Sequence, residues 1–151
     1  MEFGLYLRSF MADRARPLYQ QIEETVEICH VARDVGFSAI SVPQHWISYP
    51  AVWPQPYPIL ARMAPETGGM RLMAGIILLP LHNPVEIAEA TVTMDHISNG
   101  RFILGVGLGY REAELEAAGA AREDCVPRLT ESLTLMKRLW TGEEVTFQGR
   151  E

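Results

Sequence analysis

"RFILGVGLGY", residues 101–110, carries an apolar run into glycines at alternate positions, Gly105, Gly107 and Gly109, and the acidic stretch "REAELEAAG" follows directly. A dinucleotide-binding loop wants GxGxxG on the first strand of its unit, with an acidic residue about 20 positions on at the end of the next strand. Here the spacing is GxGxG, and the strand comes late in the chain. Some ~20 positions further on, "DCVPRLTES" opens a helix rather than closing a strand. The phosphate-loop reading is therefore weak. Two others stay open. The glycines let the strand pack and turn, or they end a barrel strand and let a flat ligand lie against the backbone.

Outward from this stretch, β-type and helical patterns alternate. "FGLYL" (3–7) reads as a strand, and Ile22, Val26, Cys29, Ala32 and Val35 recur at helical spacing between Tyr19 and Val35, with Gly36 as the stop. "SAISV" (38–42) is the second strand. Residues 43–58 carry Pro43, Pro50, Pro54, Pro56 and Pro58 and cannot form one regular element. A helix over 59–66 follows, closed by Gly68-Gly69. "RLMAGIILLP" (71–80) reads as a strand buried on both faces, and "NPVEIAEATVTMDHISNG" (83–100) as a helix with Pro84 in its first turn. The fourth strand spans 101–107. A short acidic helix, a longer one over 127–140 and an extended piece, "EVTFQGRE" (144–151), complete the chain. The β-α alternation predicts an α/β fold with a parallel sheet and right-handed crossovers, in one domain over 1–151 without linkers or repeats.

Composition narrows the function. The chain has 151 residues, 48% hydrophobic and 21% charged, with net charge −6 and a pI near 5.2. No basic stripe exists to neutralise phosphates, so nucleic acid is not an expected partner. The longest apolar run, "LMAGIILLPL", is far short of the ~20 residues of a membrane span, and "MEFGLYLRSF" lacks the basic start of a secretory signal. Cys29 and Cys125 make no disulfide framework, which fits a reducing, cytoplasmic setting. No His/Cys/Asp spacing fits zinc, and no GxSxG elbow is present.

Several pieces together carry a family resemblance: "FGLYL", "ARDVGFSAISVPQHW", the long middle stretch with "DHISNGRF" and "GVGLGY", and "RLTESLTLMKRLWTGEEVTFQGR". The chain resembles the N-terminal half of the bacterial-luciferase-like superfamily of flavin- or deazaflavin-dependent oxidoreductases. The resemblance implies a TIM-type (β/α)8 barrel, of which this chain holds about the first four βα units, a half-barrel. The remaining strands, with much of the cofactor's phosphate site, would lie beyond Glu151. A lone half-barrel would leave its first and fourth strands as open edges and one apolar sheet face uncovered. That predicts self-association or poor solubility, with a homodimer or pairing with a complementary half-barrel as the expected assembly.

The resemblance also assigns roles. His45, in "VPQHW", would lie by the reactive face of the ring and assist proton transfer. The family often has an acidic residue before this histidine. Gln44 stands there instead, so that acidic partner is missing. Gly75-Ile76 matches a pair that carries a non-prolyl cis peptide and backs the cofactor ring; a small residue followed by Ile fits the deazaflavin-dependent members. Gly107, Gly109 and Tyr110 would line the cofactor pocket, although some deazaflavin members have Glu where Tyr110 stands. Trp46 and Trp53, with Tyr49 and Tyr57, would roof a substrate pocket or form a collapsed loop or dimer contact, and Tyr6 and Arg8 would sit at its edge.

His30, His82 and His96 read as structural, Asp95 as ordering a turn, "REAELEAAGAARED" as a solvated helix face and the methionines as core filler. The expected function is hydride exchange with a small organic substrate, or dioxygen activation, by a reduced deazaflavin coenzyme (F-420, favoured) or FMN. The alternative is a non-catalytic half-barrel that serves as an interaction subunit or truncated remnant.

Overall fold

Strands and helices alternate in the computed structural model, which describes residues 1–149, so Arg150 and Glu151 of the "EVTFQGRE" piece lie outside the described residues. In chain order they are β1 (Gly4–Tyr6), β2 (Phe10–Met11), α1 (Leu18–Asp34), β3 (Ala39–Val42), β4 (Ala51–Val52), α2 (Pro56–Met63), β5 (Arg71–Leu78), α3 (Pro84–Ile97), β6 (Phe102–Gly107), α4 (Glu112–Ala118) and α5 (Cys125–Leu139). Short 3-10 turns follow β5 and α4. The four-stranded sheet has the order β1-β3-β5-β6, and every pair in it is parallel. A doubly wound sheet reverses its strand order at a switch point. This sheet does not, and each strand lies beside its predecessor, as in one arc of a (β/α)8 barrel. The expected α/β half-barrel is what forms.

The differences from the sequence reading lie around prolines. The segment 43–58 contributes β4, which pairs antiparallel with β2 (Phe10 opposite Val52), a small ribbon outside the sequence expectation. Helix α2 begins at Pro56 and ends at Met63, earlier at both ends than expected. A proline in a helix's first turn lacks only an N–H that would have had no partner. Pro127 likewise sits inside the first turn of α5, which starts at Cys125. Residues 144–149 take no strand conformation.

The core lies between one sheet face and the helices. Leu7, Ile40, Val42, Leu72, Ala74 and Ile77 pack there with Val26 and Cys29 of α1, Leu60 of α2 and Ile87 of α3. Met63, Met70, Met94 and Met136 are buried, as filler would be, but Met1 and Met11 are exposed and are not core. Along β5 the buried positions step from 72 to 74 and then to 77. The pairing shifts there: Ala74 faces Leu104, and Ile77 faces Val106. One extra residue is thus inserted at Gly75-Ile76, a β-bulge, and the peptide between them is cis, as the resemblance implies.

The glycines of β6 answer to that bulge. A Cβ on Gly105 would stand 2.7 Å from the carbonyl oxygen of Ala74 and 3.1 Å from Met73 Cε. A Cβ on Gly107 would meet Ile76 Cδ1. Gly109 has φ 79°, the left-handed region, where the chain leaves the strand. The alternate spacing therefore lets β6 lie close against an irregular neighbour. The inner sheet face that results is built largely of small residues: Gly4, Ala39, Ser41, Gly75, Gly105 and Gly107. Ile76 and Ile103 are about one third exposed on it, and β1 and β6 are its free edges.

At the opposite end of the strands, Arg101 joins the layers. Its Nε donates to Ser98 O (2.8 Å), its Nη1 to Met70 O (2.7 Å) and Thr67 Oγ1 (3.1 Å), and its Nη2 to Ala64 O (2.9 Å). The fork ties the ends of α2 and α3 to the start of β5. Asn99 and Gly100, both at positive φ, turn the chain so that it can reach.

Three substitutions check this account by urea denaturation. Gly105→Ala drives a Cβ into backbone and should destabilise by about 1–3 kcal/mol. Gly69→Ala, with nothing within 4 Å, should change the midpoint little. Arg101→Met strands buried carbonyls and should cost about 2–4 kcal/mol; an unchanged midpoint would reduce the fork to a surface contact.

Candidate active site

His45 lies just past the C-terminal end of β3, at the same end of the sheet as the β5 bulge and Gly107. Its side chain is mostly buried. An acidic partner is present after all, supplied not by position 44 but by α4. His45 Nδ1 is 3.0 Å from Glu114 Oε1. The same oxygen accepts from the backbone N–H of Trp46 (2.9 Å) and from Arg111 Nη1 (3.1 Å). Glu114 is 1% exposed, and its Oε2 is buried with no hydrogen-bond partner among the described residues.

Arg111 does more than neutralise the carboxylate. It donates to Trp46 O (2.6 Å), Ser48 Oγ (2.7 Å) and Ile47 O (3.1 Å). These bonds hold the segment after β3 in a shape that puts Ile47 at φ 49°, a costly conformation for a β-branched residue. The pair thus fixes the histidine and the loop that carries it.

The reading of "REAELEAAGAARED" as a solvated face is corrected here. Glu112, Glu116, Glu123 and Asp124 are exposed, but Glu114 is not. Positions 111, 114, 115 and 118 share one helix face, and Leu115 and Ala118 mark that face as inward. The signal for Glu114 was in the periodicity, hidden by the acidic neighbours.

Gln44 has another task. Its Oε1 accepts from Leu78 N (2.9 Å) and from His82 Nε2 (2.9 Å), its backbone N–H donates to Ile76 O (3.2 Å), and its Nε2 donates to Gln55 Oε1 (3.2 Å). It therefore braces the bulge. Burial pushes the His82 pKa below the ordinary 6.5 against a smaller opposing pull from Glu86, which suits a neutral ring that donates through Nε2–H.

The aromatic residues divide. The rings of Trp53 and Tyr110 stand edge-on to His45, at 5.0 and 6.1 Å. The Trp46 ring lies against His82 at 5.2 Å, and its Nε1 reaches Gln55 Oε1 at 3.4 Å. Tyr6, at the end of β1, is more than half exposed; partial burial, with a contribution from nearby Tyr110, raises its pKa. Tyr57 does not join a roof: it is a residue of α2, bonded to Thr91 (2.9 Å) and packed on Phe102. Tyr49 is 85% exposed. His30 is tied to Glu66 at 2.9 Å, and His96 is exposed. No cluster of three or more metal-ligating side chains occurs among the described residues.

What remains is a shallow floor of small residues with Ile76 on it, rimmed by His45, Trp53, Tyr110 and Tyr6. A flat ring can lie on such a floor, because few side chains rise from it. The residues present fit a flavin or deazaflavin.

The chain belongs to the luciferase-like monooxygenase family, whose family model matches residues 1–151. It is 28% identical over 145 residues to the oxygenase component of a flavin-dependent trigonelline monooxygenase from Acinetobacter baylyi, covering 95% of this chain and 40% of that protein. It is 33% identical over 137 residues to an F420-dependent glucose-6-phosphate dehydrogenase from Amycolatopsis mediterranei, covering 83% of this chain and 40% of that one. A crystal structure of a monooxygenase from Streptomyces bottropensis superposes with a TM-score of 0.89 at 27% identity, over 99% of this chain and 46% of the other. The chain thus spans less than half the length of these proteins, and the part it shares with them is a partial barrel.

The lowered pKa of His82 sets a pH dependence. A base whose folded value is depressed contributes stability that is present above its unfolded value and is lost as pH falls below 6.5. Stability should therefore decline as pH falls below about 6.5, above the carboxylate range. His82→Gln should flatten that decline; an identical slope in the variant would show that the ring is not the group responsible.

Proposed function

We propose that the chain supplies the proton-handling side of an oxidoreductase site for a reduced deazaflavin or flavin, acting on a small organic substrate. The observation that carries this reading is the His45–Glu114 pair at the rim of the small-residue floor. A histidine whose Nδ1 is bound to a carboxylate has Nε2 left for chemistry, and the Nε2 of His45 has no hydrogen bond among the described residues. Such an arrangement speaks against a purely non-catalytic half-barrel.

When bound, the reduced ring supplies the electron pair that goes to the substrate or to dioxygen. The chain's own residues do the rest. The inner faces of β5 and β6, at Gly75, Ile76 and Gly107, with Gly109 just past the end of β6, take the flat ring. Tyr110 and Trp53 wall the site, exclude water and hold apolar substrate surface, with Tyr6 and Trp46 further out. His45 Nε2 accepts or returns a proton at a substrate heteroatom.

For the ring itself, the Gly75-Ile76 pair supports F-420, as in the deazaflavin-dependent members that the sequence resembles. The flavin-dependent relative, similar over 95% of the chain, supports FMN. The far wall of the pocket would come from further barrel strands that pair with the free edges of β1 and β6; a second copy or a complementary half-barrel is one source of them. A reducing, cytoplasmic setting suits Cys29 and Cys125, both buried free thiols, the first pushed up to about 11 by burial. No helix among the described residues is long and apolar enough to cross a membrane.

In a form of the protein that turns over, His45→Ala should lower kcat by about 100-fold or more and leave the cofactor dissociation constant within a few-fold. Unchanged turnover would remove His45 from the mechanism. The 151-residue chain as a monomer should bind reduced F-420 or FMN more weakly than a closed barrel does; micromolar or tighter binding by the monomer would show that the far wall is dispensable.

A further inference from the structure

We propose that Glu114 is the positioning residue of His45: its carboxylate fixes the imidazole as the Nδ1–H tautomer. The consequence that Nε2 then faces substrate as a proton acceptor rests on the functional reading above; the tautomer itself does not.

Glu114 Oε1 receives His45 Nδ1, the Trp46 N–H and Arg111 Nη1, at 3.0, 2.9 and 3.1 Å. An oxygen that accepts from an amide and a guanidinium carries no proton of its own. Oε2 is buried with no hydrogen-bond partner of either kind among the described residues, and Arg111 places a cation 3.1 Å from Oε1, the charge a carboxylate pairs with. Glu114 is therefore a carboxylate, an acceptor only, and the proton of the 3.0 Å contact belongs to His45 Nδ1. A neutral imidazole has a single N–H, so Nε2 is bare.

Among the described residues, nothing else hydrogen-bonds the ring. Its other neighbours are the edges of Trp53 and Tyr110. A neutral histidine side chain in water prefers the opposite tautomer, with the proton on Nε2, so the preference must be imposed. Arg111 and the Trp46 N–H keep Oε1 in place, and the carboxylate cannot turn its other oxygen to the ring without abandoning both.

The test is nitrogen NMR of the imidazole in uniformly 15N-labelled chain, at a pH where the ring is neutral. The parent should show Nδ1 as the protonated, pyrrole-like nitrogen and Nε2 as the bare, pyridine-like one, with a downfield Nδ1 proton protected from exchange. Glu114→Ala should shift the ring to a majority of Nε2–H, whereas Arg111→Gln, which loosens the loop but keeps the carboxylate, should leave Nδ1–H in the majority. Three results overturn the assignment: Nε2–H in the parent, Nδ1–H retained in Glu114→Ala, or a shift in Arg111→Gln as complete as in Glu114→Ala. Should Glu114→Ala not fold, the protected Nδ1 proton of the parent decides, and its absence counts against the proposal. A chain that holds the Nδ1–H tautomer but binds neither F-420 nor FMN at any concentration would sink the functional reading and leave this one standing.

Discussion

One buried carboxylate organises the chemistry-bearing end of this molecule. Removing a carboxylate from water is expensive unless it is paired and hydrogen-bonded, and among the described residues only Oε1 of Glu114 is. Glu114 is 1% exposed, so its neighbours must compensate. Arg111 supplies the opposite charge one helical turn away, and Trp46 supplies a backbone donor. Meeting that requirement draws α4 onto the segment after β3, although the contacting residues are more than sixty positions apart. His45 is held as part of the same cluster. The position of the histidine is thus a by-product of solving an electrostatic problem, which makes it a rigid position. Breaking such a buried pair by removing one partner typically costs about 3–5 kcal/mol.

The floor beside the histidine depends on a second constraint. Inserting one residue in β5 pushes the Ala74 carbonyl and the Ile76 side chain towards β6. Only a strand without side chains at 105 and 107 can remain hydrogen-bonded to it. Gln44 then satisfies the peptide groups that the bulge takes out of register, at Ile76 O and Leu78 N. The bulge, the alternate glycines and the buried glutamine form one unit, and His82 completes it. The lack of side chains on that face leaves room for a planar ligand, so a packing solution coincides with the surface we propose for the ring.

Much of this was legible in the residues. Alternating periods of two and 3.6 gave the order of strands and helices, and the unbroken β-α sequence agreed with a parallel sheet. The irregular peptide at Gly75-Ile76 came from resemblance, since a lone glycine in an apolar run has no such signature. What stayed hidden was long-range. The β2–β4 ribbon rests on pairs of residues, too short to show a period. Gln44 read as the loss of an acidic residue because the partner was sought next in sequence, whereas it sits on a helix 69 positions from His45. Glu114 was masked by Glu112 and Glu116, exposed charges on either side of it. Charge density suggests a solvated face, but the helical period, followed through Leu115 and Ala118, marks the position as inward.

The central claim is that the C-terminal ends of β3, β5 and β6, with His45 at their rim, receive the ring. The most direct measurement is to titrate reduced F-420, and separately reduced FMN, into 15N-labelled chain and map the backbone shifts. Perturbations concentrated at Gly75, Ile76, Gly107, Gly109, Tyr110 and the His45–Ser48 segment are the predicted result. Perturbations confined to the outer helix faces, or to the Arg101 end of the strands, would contradict the account.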